Sequence, residues 1–133
     1  MLYFDIRPCL KRLTAEEKGI LFETKRLIVR EILEQVVGDS TEGTGRNAAV
    51  SGYRIGGKTG TSEIKTLKGE VIVSFMGFAP ADDPQIMALC IIDTPQGQYY
   101  GGQIAAPVVR QLFENILPYL NEIGYNLNVS QQK

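Results

Sequence analysis

Apolar positions change period along the chain. Over residues 23–37, Ile28, Val29, Ile32, Leu33, Val36 and Val37 recur at i, i+1, i+4 and i+5, which makes one stripe of a helix. Upstream, Thr14-Ala15-Glu16-Glu17 has the letters of a capping box, while Gly19 weakens any helix that continues through it. Gly38 supplies a C′ residue at the other end. Residues 38–53 carry four glycines and predict a turn-rich connection. Beyond it, residues 54–63 read as an extended segment with three glycines, closed by the turn Leu67-Lys68-Gly69-Glu70. Residues 71–79 form a strand with Val71, Val73 and Phe75 on one face. Pro80-Ala81-Asp82-Asp83-Pro84 then turns the chain, and the unbroken apolar run of residues 86–92 predicts a strand buried on both faces. A last helix starts near Ala105 or Ala106 with Pro107 in its first turn. Val108, Val109, Leu112, Phe113, Ile116, Leu117 and Leu120 mark its buried side, Pro118 kinks or ends its regular part, and Gly124 stops it.

The order is helix, three strands joined by short turns, helix. Short connections make neighbouring strands antiparallel, and the helices must cover a face of the sheet. The predicted class is α+β: an antiparallel sheet of at least three strands covered by N- and C-terminal helices.

Composition narrows the chemistry. The 133 residues have 14 Lys and Arg against 15 Asp and Glu, a net charge of -1. This is no footprint of a nucleic-acid binder, and no nucleic-acid partner is expected. Histidine is absent, which removes Ser-His-Asp and Cys-His catalysis and His-containing zinc sites. No cofactor and no metal are expected, since two cysteines, Cys9 and Cys90, cannot make an all-thiolate site. A Cys9–Cys90 disulfide stays open, and Cys90 reads as a small buried hydrophobe. There is neither a stretch of membrane-spanning length nor a signal-peptide core.

One segment concentrates candidate chemistry: Gly52-Tyr53-Arg54-Ile55-Gly56-Gly57-Lys58-Thr59-Gly60-Thr61-Ser62. Residues 52–59 match G-x-x-x-x-G-K-[ST], and Asp93 after an apolar run resembles a magnesium-holding aspartate. A phosphate loop needs a buried strand before it and a helix starting at Lys-Thr, and neither flank fits. The other reading is an active-site strand, Lys58-Thr59-Gly60-Thr61. Lys58 and Gly60 then point one way and Thr59 and Thr61 the other. Gly60 leaves room for a substrate backbone, and the hydroxyls of Thr59 and Thr61 suit a carboxylate. The tyrosines Tyr53, Tyr99 and Tyr100 read as core or rim, Asp82 and Asp83 as turn residues, and Glu16, Glu17 and Asp39 as helix-end charges.

The K-T-G letters resemble an element of β-lactamases and penicillin-binding proteins. The likeness extends to Gly43-Thr44-Gly45-Arg46-Asn47-Ala48, Phe75-Met76-Gly77-Phe78-Ala79-Pro80, and Tyr100-Gly101-Gly102 followed by Ala105-Ala106-Pro107-Val108. Together these resemble the C-terminal part of class B penicillin-binding protein transpeptidases of the division and sporulation type, over about residues 20–122. The resemblance implies the penicillin-binding/β-lactamase-like fold, with residues 1–19 unassigned, 20–124 transpeptidase and 125–133 a polar tail. It implies that Lys58 faces a serine nucleophile and supports proton movement. It also implies that Thr59 and Thr61 take the carboxylate of a penicillin or a D-Ala-D-Ala stem peptide, and that the Thr61 N–H serves an oxyanion hole.

The same family places S-x-x-K and S-x-N before its K-T-G, and neither precedes Lys58 here. Ser62-Glu63-Ile64-Lys65 follows K-T-G-T directly, where i and i+3 on a strand face opposite sides. Ser130-Gln131-Gln132-Lys133 is terminal, and Tyr119-Leu120-Asn121 is the nearest variant of S-x-N. The expected partners are therefore the missing N-terminal half of the domain, stem peptides and β-lactams in the complete domain, and a second copy paired through an exposed apolar edge or face. The parent is expected to be membrane-anchored with this domain outside the cytoplasm. The rival is a non-catalytic or degenerate peptide- or protein-binding module.

Overall fold

The computed structural model describes residues 14–63, 70–125 and 127. Its elements are α1 (Ala15–Gly38), a 3-10 turn (Arg46–Ala48), β1 (Gly56–Glu63), β2 (Val71–Ala79), β3 (Ile86–Asp93), the short α2 (Gly101–Ile104) and α3 (Ala106–Glu122). The three strands form one antiparallel sheet in the order β1-β2-β3. The α+β class and the three-strand order stand as the sequence predicts.

The capping box forms: the Glu17 amide donates to Thr14 Oγ1 and the Thr14 amide to Glu17 Oε2. The Thr14 amide and, with it, the Thr14 hydroxyl donate to the Glu17 carboxylate and hold that carboxyl below its ordinary pKa. With its first turn satisfied, α1 runs straight through Gly19, and a single glycine does not outweigh the cap. The helix ends at Gly38, without a left-handed glycine. Asp39 is the C-cap instead, its amide donating to Gln35 O, and its carboxylate accepts from the Thr41 and Glu42 amides and from Thr41 Oγ1 in the turn that follows, which lowers its own pKa.

The register assigns the two faces. Val73, Phe75 and Gly77 of β2 lie on the first face, beside Thr61, Thr59 and Gly57 of β1 and Ile92, Cys90 and Ala88 of β3. Helix α3 covers this face: Val109, Phe113 and Leu117 are buried with Phe75 and Ala79, and Gly77 leaves just enough room for Val109 and Phe113. Pro118 does not end α3, which continues to Glu122, and Gly124 at φ +103 follows it. Val108 and Leu112, expected on the buried side, are about half exposed because the sheet takes only the Val109-Phe113-Leu117 side.

The second face differs from expectation. It holds Lys58 and Gly60 of β1, Ser74, Met76 and Phe78 of β2, and Met87, Leu89 and Ile91 of β3. Residues 86–92 are not buried on both sides: Met87 is 69% exposed, and Leu89 and Ile91 are each 60% exposed. Within the described residues β3 is an edge strand with a helix over one face only, so its alternate side chains meet solvent. The stripe of α1 departs in the same way. Val37 is buried and Leu33 and Val36 are half-buried, but Ile28, Val29 and Ile32 are exposed. Helix α1 packs along β1 and leaves an apolar groove of 580 Å³ between itself and the second face.

Candidate functional site

Arg54 anchors the start of the candidate strand. Its guanidinium donates through Nε and Nη2 to the two Glu34 oxygens at 2.6 Å each, and Nη1 lies 3.0 Å from Asp82 Oδ2. A bidentate pair of this kind ties α1 to the strand entry and to the β2–β3 turn. Those bonds, Glu34 foremost, raise the Arg54 pKa further. Asp82 is thus a structural partner, as its turn position predicts. Ahead of Arg54, Gly52 sits at φ +83 in a turn closed by the Tyr53 amide donating to Val50 O. A side chain is disfavoured there for conformational reasons alone.

This context removes the phosphate-loop reading. Lys58 and Thr59 lie inside β1, with no helix starting at them, and a 3-10 turn and a loop precede Gly52. Amides and a helix dipole do not converge on a phosphate position.

Lys58 is exposed at the outer edge of the sheet. Its side chain leaves from the second face and folds along the strand. Nζ donates to Thr59 O at 2.8 Å and lies 3.3 Å from Thr59 Oγ1. Among the described residues it makes no ion pair. The ammonium and the Thr59 hydroxyl, which start from opposite faces, therefore meet at the edge. Thr61 lies two residues on, on the Thr59 face and exposed, so the two hydroxyls share a side. Alternate N–H and C=O groups along an edge strand turn away from the sheet and can pair with an extended peptide. Gly60 faces Ser74, whose Oγ would be 2.6 Å from an added Cβ.

Sequence reading missed what closes the first-face side of this strand. Gly101 and Gly102 begin α2 and pack directly on backbone: a Cβ at Gly101 would lie 2.4 Å from Ser74 O, and one at Gly102 would lie 2.1 Å from Thr44 O. Asn47 Nδ2 donates to Gly102 O at 2.7 Å and locks this contact. Asn47 and Gly102 are 55 residues apart, and no spacing rule pairs them. Replacing Gly102 with alanine is expected to cost ~1–3 kcal/mol, because backbone must move on both sides. A lowered urea midpoint measures it, and an unchanged midpoint contradicts the close packing. Next to this turn, the Tyr99 and Tyr100 rings stand exposed with centroids 4.8 Å apart. A hydrogen bond with Tyr99 raises the Tyr100 pKa.

The other serine and asparagine candidates do not join the site. Ser62 is exposed near the end of β1, while Lys65 and residues 130–133 lie outside the described residues, as does Cys9. Asn121 is a structural residue at the end of α3: Nδ2 donates to Tyr53 Oη, and Oδ1 accepts from the Leu127 amide. Cys90 is half-buried opposite Phe75.

Comparison with known proteins agrees with this fold. Residues 23–114 match the penicillin binding protein transpeptidase domain. Stage V sporulation protein D of Bacillus subtilis is 46% identical over 109 residues, covering 78% of this chain and 16% of that protein. A peptidoglycan D,D-transpeptidase FtsI homolog of Chlorokybus atmophyticus is 40% identical over 101 residues, covering 71% of this chain and 14% of that protein. This chain thus spans about a sixth of the length of these relatives. Among solved structures, the transpeptidase domain of Burkholderia pseudomallei penicillin-binding protein 3 superposes with a TM-score of 0.59 at 40% identity, over 69% of this chain and 29% of that one. The transpeptidase domain of FtsI4 from Legionella pneumophila gives 0.57 at 33% identity, over 66% and 33%.

Proposed function

The chain belongs to the penicillin-binding protein transpeptidase family, of the FtsI and stage V sporulation protein D type, and from that premise we propose that it is the C-terminal part of a D,D-transpeptidase that cross-links peptidoglycan stem peptides. In this reading a serine outside residues 1–133 attacks the carbonyl of the penultimate D-Ala, an ester forms, and the terminal D-Ala leaves. An acceptor amine then displaces the serine. The parent is anchored in the cell membrane with this domain outside the cytoplasm. Among the described residues no helix is long and apolar enough to cross a membrane.

The observation that carries the reading is the position of Lys58 Nζ: at the free edge of β1, 3.3 Å from Thr59 Oγ1, without a carboxylate partner among the described residues. A cation there and hydroxyls along one side suit an extended peptide ending in a carboxylate. It would lie against the edge with its reacting carbonyl near the Thr61 N–H. The same cation faces the nucleophile and supports its proton transfer. Oxyanion donors of this type are worth ~3–4 kcal/mol each in acyl transfer.

Because no S-x-x-K precedes Lys58 in this sequence, the chain alone is expected to form no covalent adduct with a fluorescent penicillin. The readout is a labelled band after denaturing electrophoresis. A labelled band from these 133 residues overturns the division of labour proposed here. Absence of labelling in the complete reading frame overturns the assignment itself.

A further inference from the structure

We propose that Asn47 is a positioning residue for Thr59: through Gly102 it holds the Thr59 hydroxyl at the edge of β1, where the carboxylate of the substrate docks. The inference rests on the transpeptidase reading and adds a residue from outside the motif strand that serves its carboxylate site. Thr59 is β-branched, so its side chain chooses among a few staggered rotamers, and a change of rotamer carries the hydroxyl away from its place. Oγ1 lies 3.3 Å from Lys58 Nζ at the edge. The methyl group is backed by the start of α2: a Cβ built on Gly102 would lie 3.4 Å from Thr59 Cγ2. That is an ordinary contact distance, so Gly102 supports the methyl without displacing it. The neighbouring glycine is seated on the sheet itself, for a Cβ on Gly101 would lie 3.1 Å from Gly60 O and 2.4 Å from Ser74 O. The position of α2 thus sets which rotamer Thr59 has room for.

Asn47 holds α2 in that position. A helix of four residues has no stability of its own and needs support from outside. Asn47 Nδ2 supplies it by donating to Gly102 O at 2.7 Å. The loop that carries Asn47 is itself fixed. The Gly43 amide donates to Asp39 O, the Gly45 amide to Val36 O at 3.0 Å, and the Ala48 amide to Gly45 O at 2.8 Å. These bonds run from the end of α1 into the 3-10 turn, so the Asn47 donor is held ready for Gly102. Asn47 is exposed, and the bond to Gly102 is the one side-chain hydrogen bond it makes among the described residues. It fills no part of the core, and its influence reaches the motif strand by way of Gly102.

The test uses Asn47→Ala and Asn47→Asp, the second of which keeps the shape of the side chain and removes the donor. Asn121→Ala, which removes side-chain hydrogen bonds at the end of α3, is the structural control. In the 133-residue chain with labelled threonine, the three-bond couplings of the Thr59 methyl carbon to backbone nitrogen and carbonyl report its rotamer. A single rotamer is expected for the unsubstituted chain and for Asn121→Ala, and averaged couplings for both Asn47 variants. In the complete transpeptidase, both Asn47 variants should be acylated by subsaturating benzylpenicillin roughly three- to tenfold more slowly, the net worth of one hydrogen bond. With the methyl ester of benzylpenicillin, which offers Thr59 no carboxylate, their rates should equal that of the unsubstituted protein. Unchanged Thr59 couplings, equal losses on acid and ester, or the same changes in Asn121→Ala overturn the proposal. A complete protein that no penicillin labels overturns the transpeptidase reading instead, and the Thr59 couplings still decide whether Asn47 positions Thr59.

Discussion

Replacing Lys58 with alanine in the complete transpeptidase is expected to slow acylation by a fluorescent penicillin by ~10²–10⁴-fold, the usual range for losing a positioned proton-transfer group. The same substitution should leave the unfolding midpoint unchanged. Lys58 is exposed, makes no ion pair among the described residues, and spends its hydrogen bonds on its neighbour Thr59. That combination separates chemistry from folding. A structural lysine would lower stability and activity together, whereas this one should lower activity alone. Lys58→Arg keeps the charge but replaces a compact ammonium with a planar fork, so it should restore only part of the rate. Acylation unaffected by Lys58→Ala overturns the assigned role.

Phe75→Ala is the substitution expected to cost most in stability, ~3–5 kcal/mol. Against a total of about 5–15 kcal/mol for a domain, that is a third or more of what holds the fold. The ring is 0% exposed, and glycines of two other segments and of its own strand close on it. A Cβ at Gly57 would lie 2.5 Å from its Cζ, one at Gly45 would lie 2.9 Å from Cε2, and one at Gly77 would lie 3.1 Å from Cε1. Phe75 therefore joins β1 beside Lys58, the loop that carries Asn47, and the sheet beneath α3. Urea unfolding should show a lower midpoint at an unchanged slope. Phe75→Leu, which keeps much of the volume, should cost less than half as much. Equal losses for the two variants would mean that the site does not depend on the filled ring volume.

The strands were legible because period and punctuation agreed. Residues 71–79 form β2 as predicted, and β3 starts at Ile86 between the same turn and apolar signals. The motif strand was legible because Lys58, Thr59, Gly60 and Thr61 are adjacent in the chain and alternate in direction on any strand. Asn47 and the Gly102 contact were not, because their meeting depends on a turn and a helix start brought together by α3. Gly38 misled as a left-handed cap because the chain leaves α1 at Asp39 in an extended conformation, and the Asp39 carboxylate holds the following turn through the Thr41 and Glu42 amides.

Sequence by itself determined the α+β order, the strand positions, the family and the four-residue motif. Each of these depends on spacing along the chain, which pattern and motif preserve. Tertiary structure alone decided that Lys58 Nζ and Thr59 Oγ1 meet at a free edge although their side chains start on opposite faces. It also decided that, among the described residues, the apolar run of β3 is covered on one face only. Apolar residues record that a surface is to be buried, and the short-range pattern is the same whichever element buries it. Only the packing of distant segments shows which faces are already taken, and here it leaves the α1 groove and the Leu89 side of the sheet without a cover among the described residues.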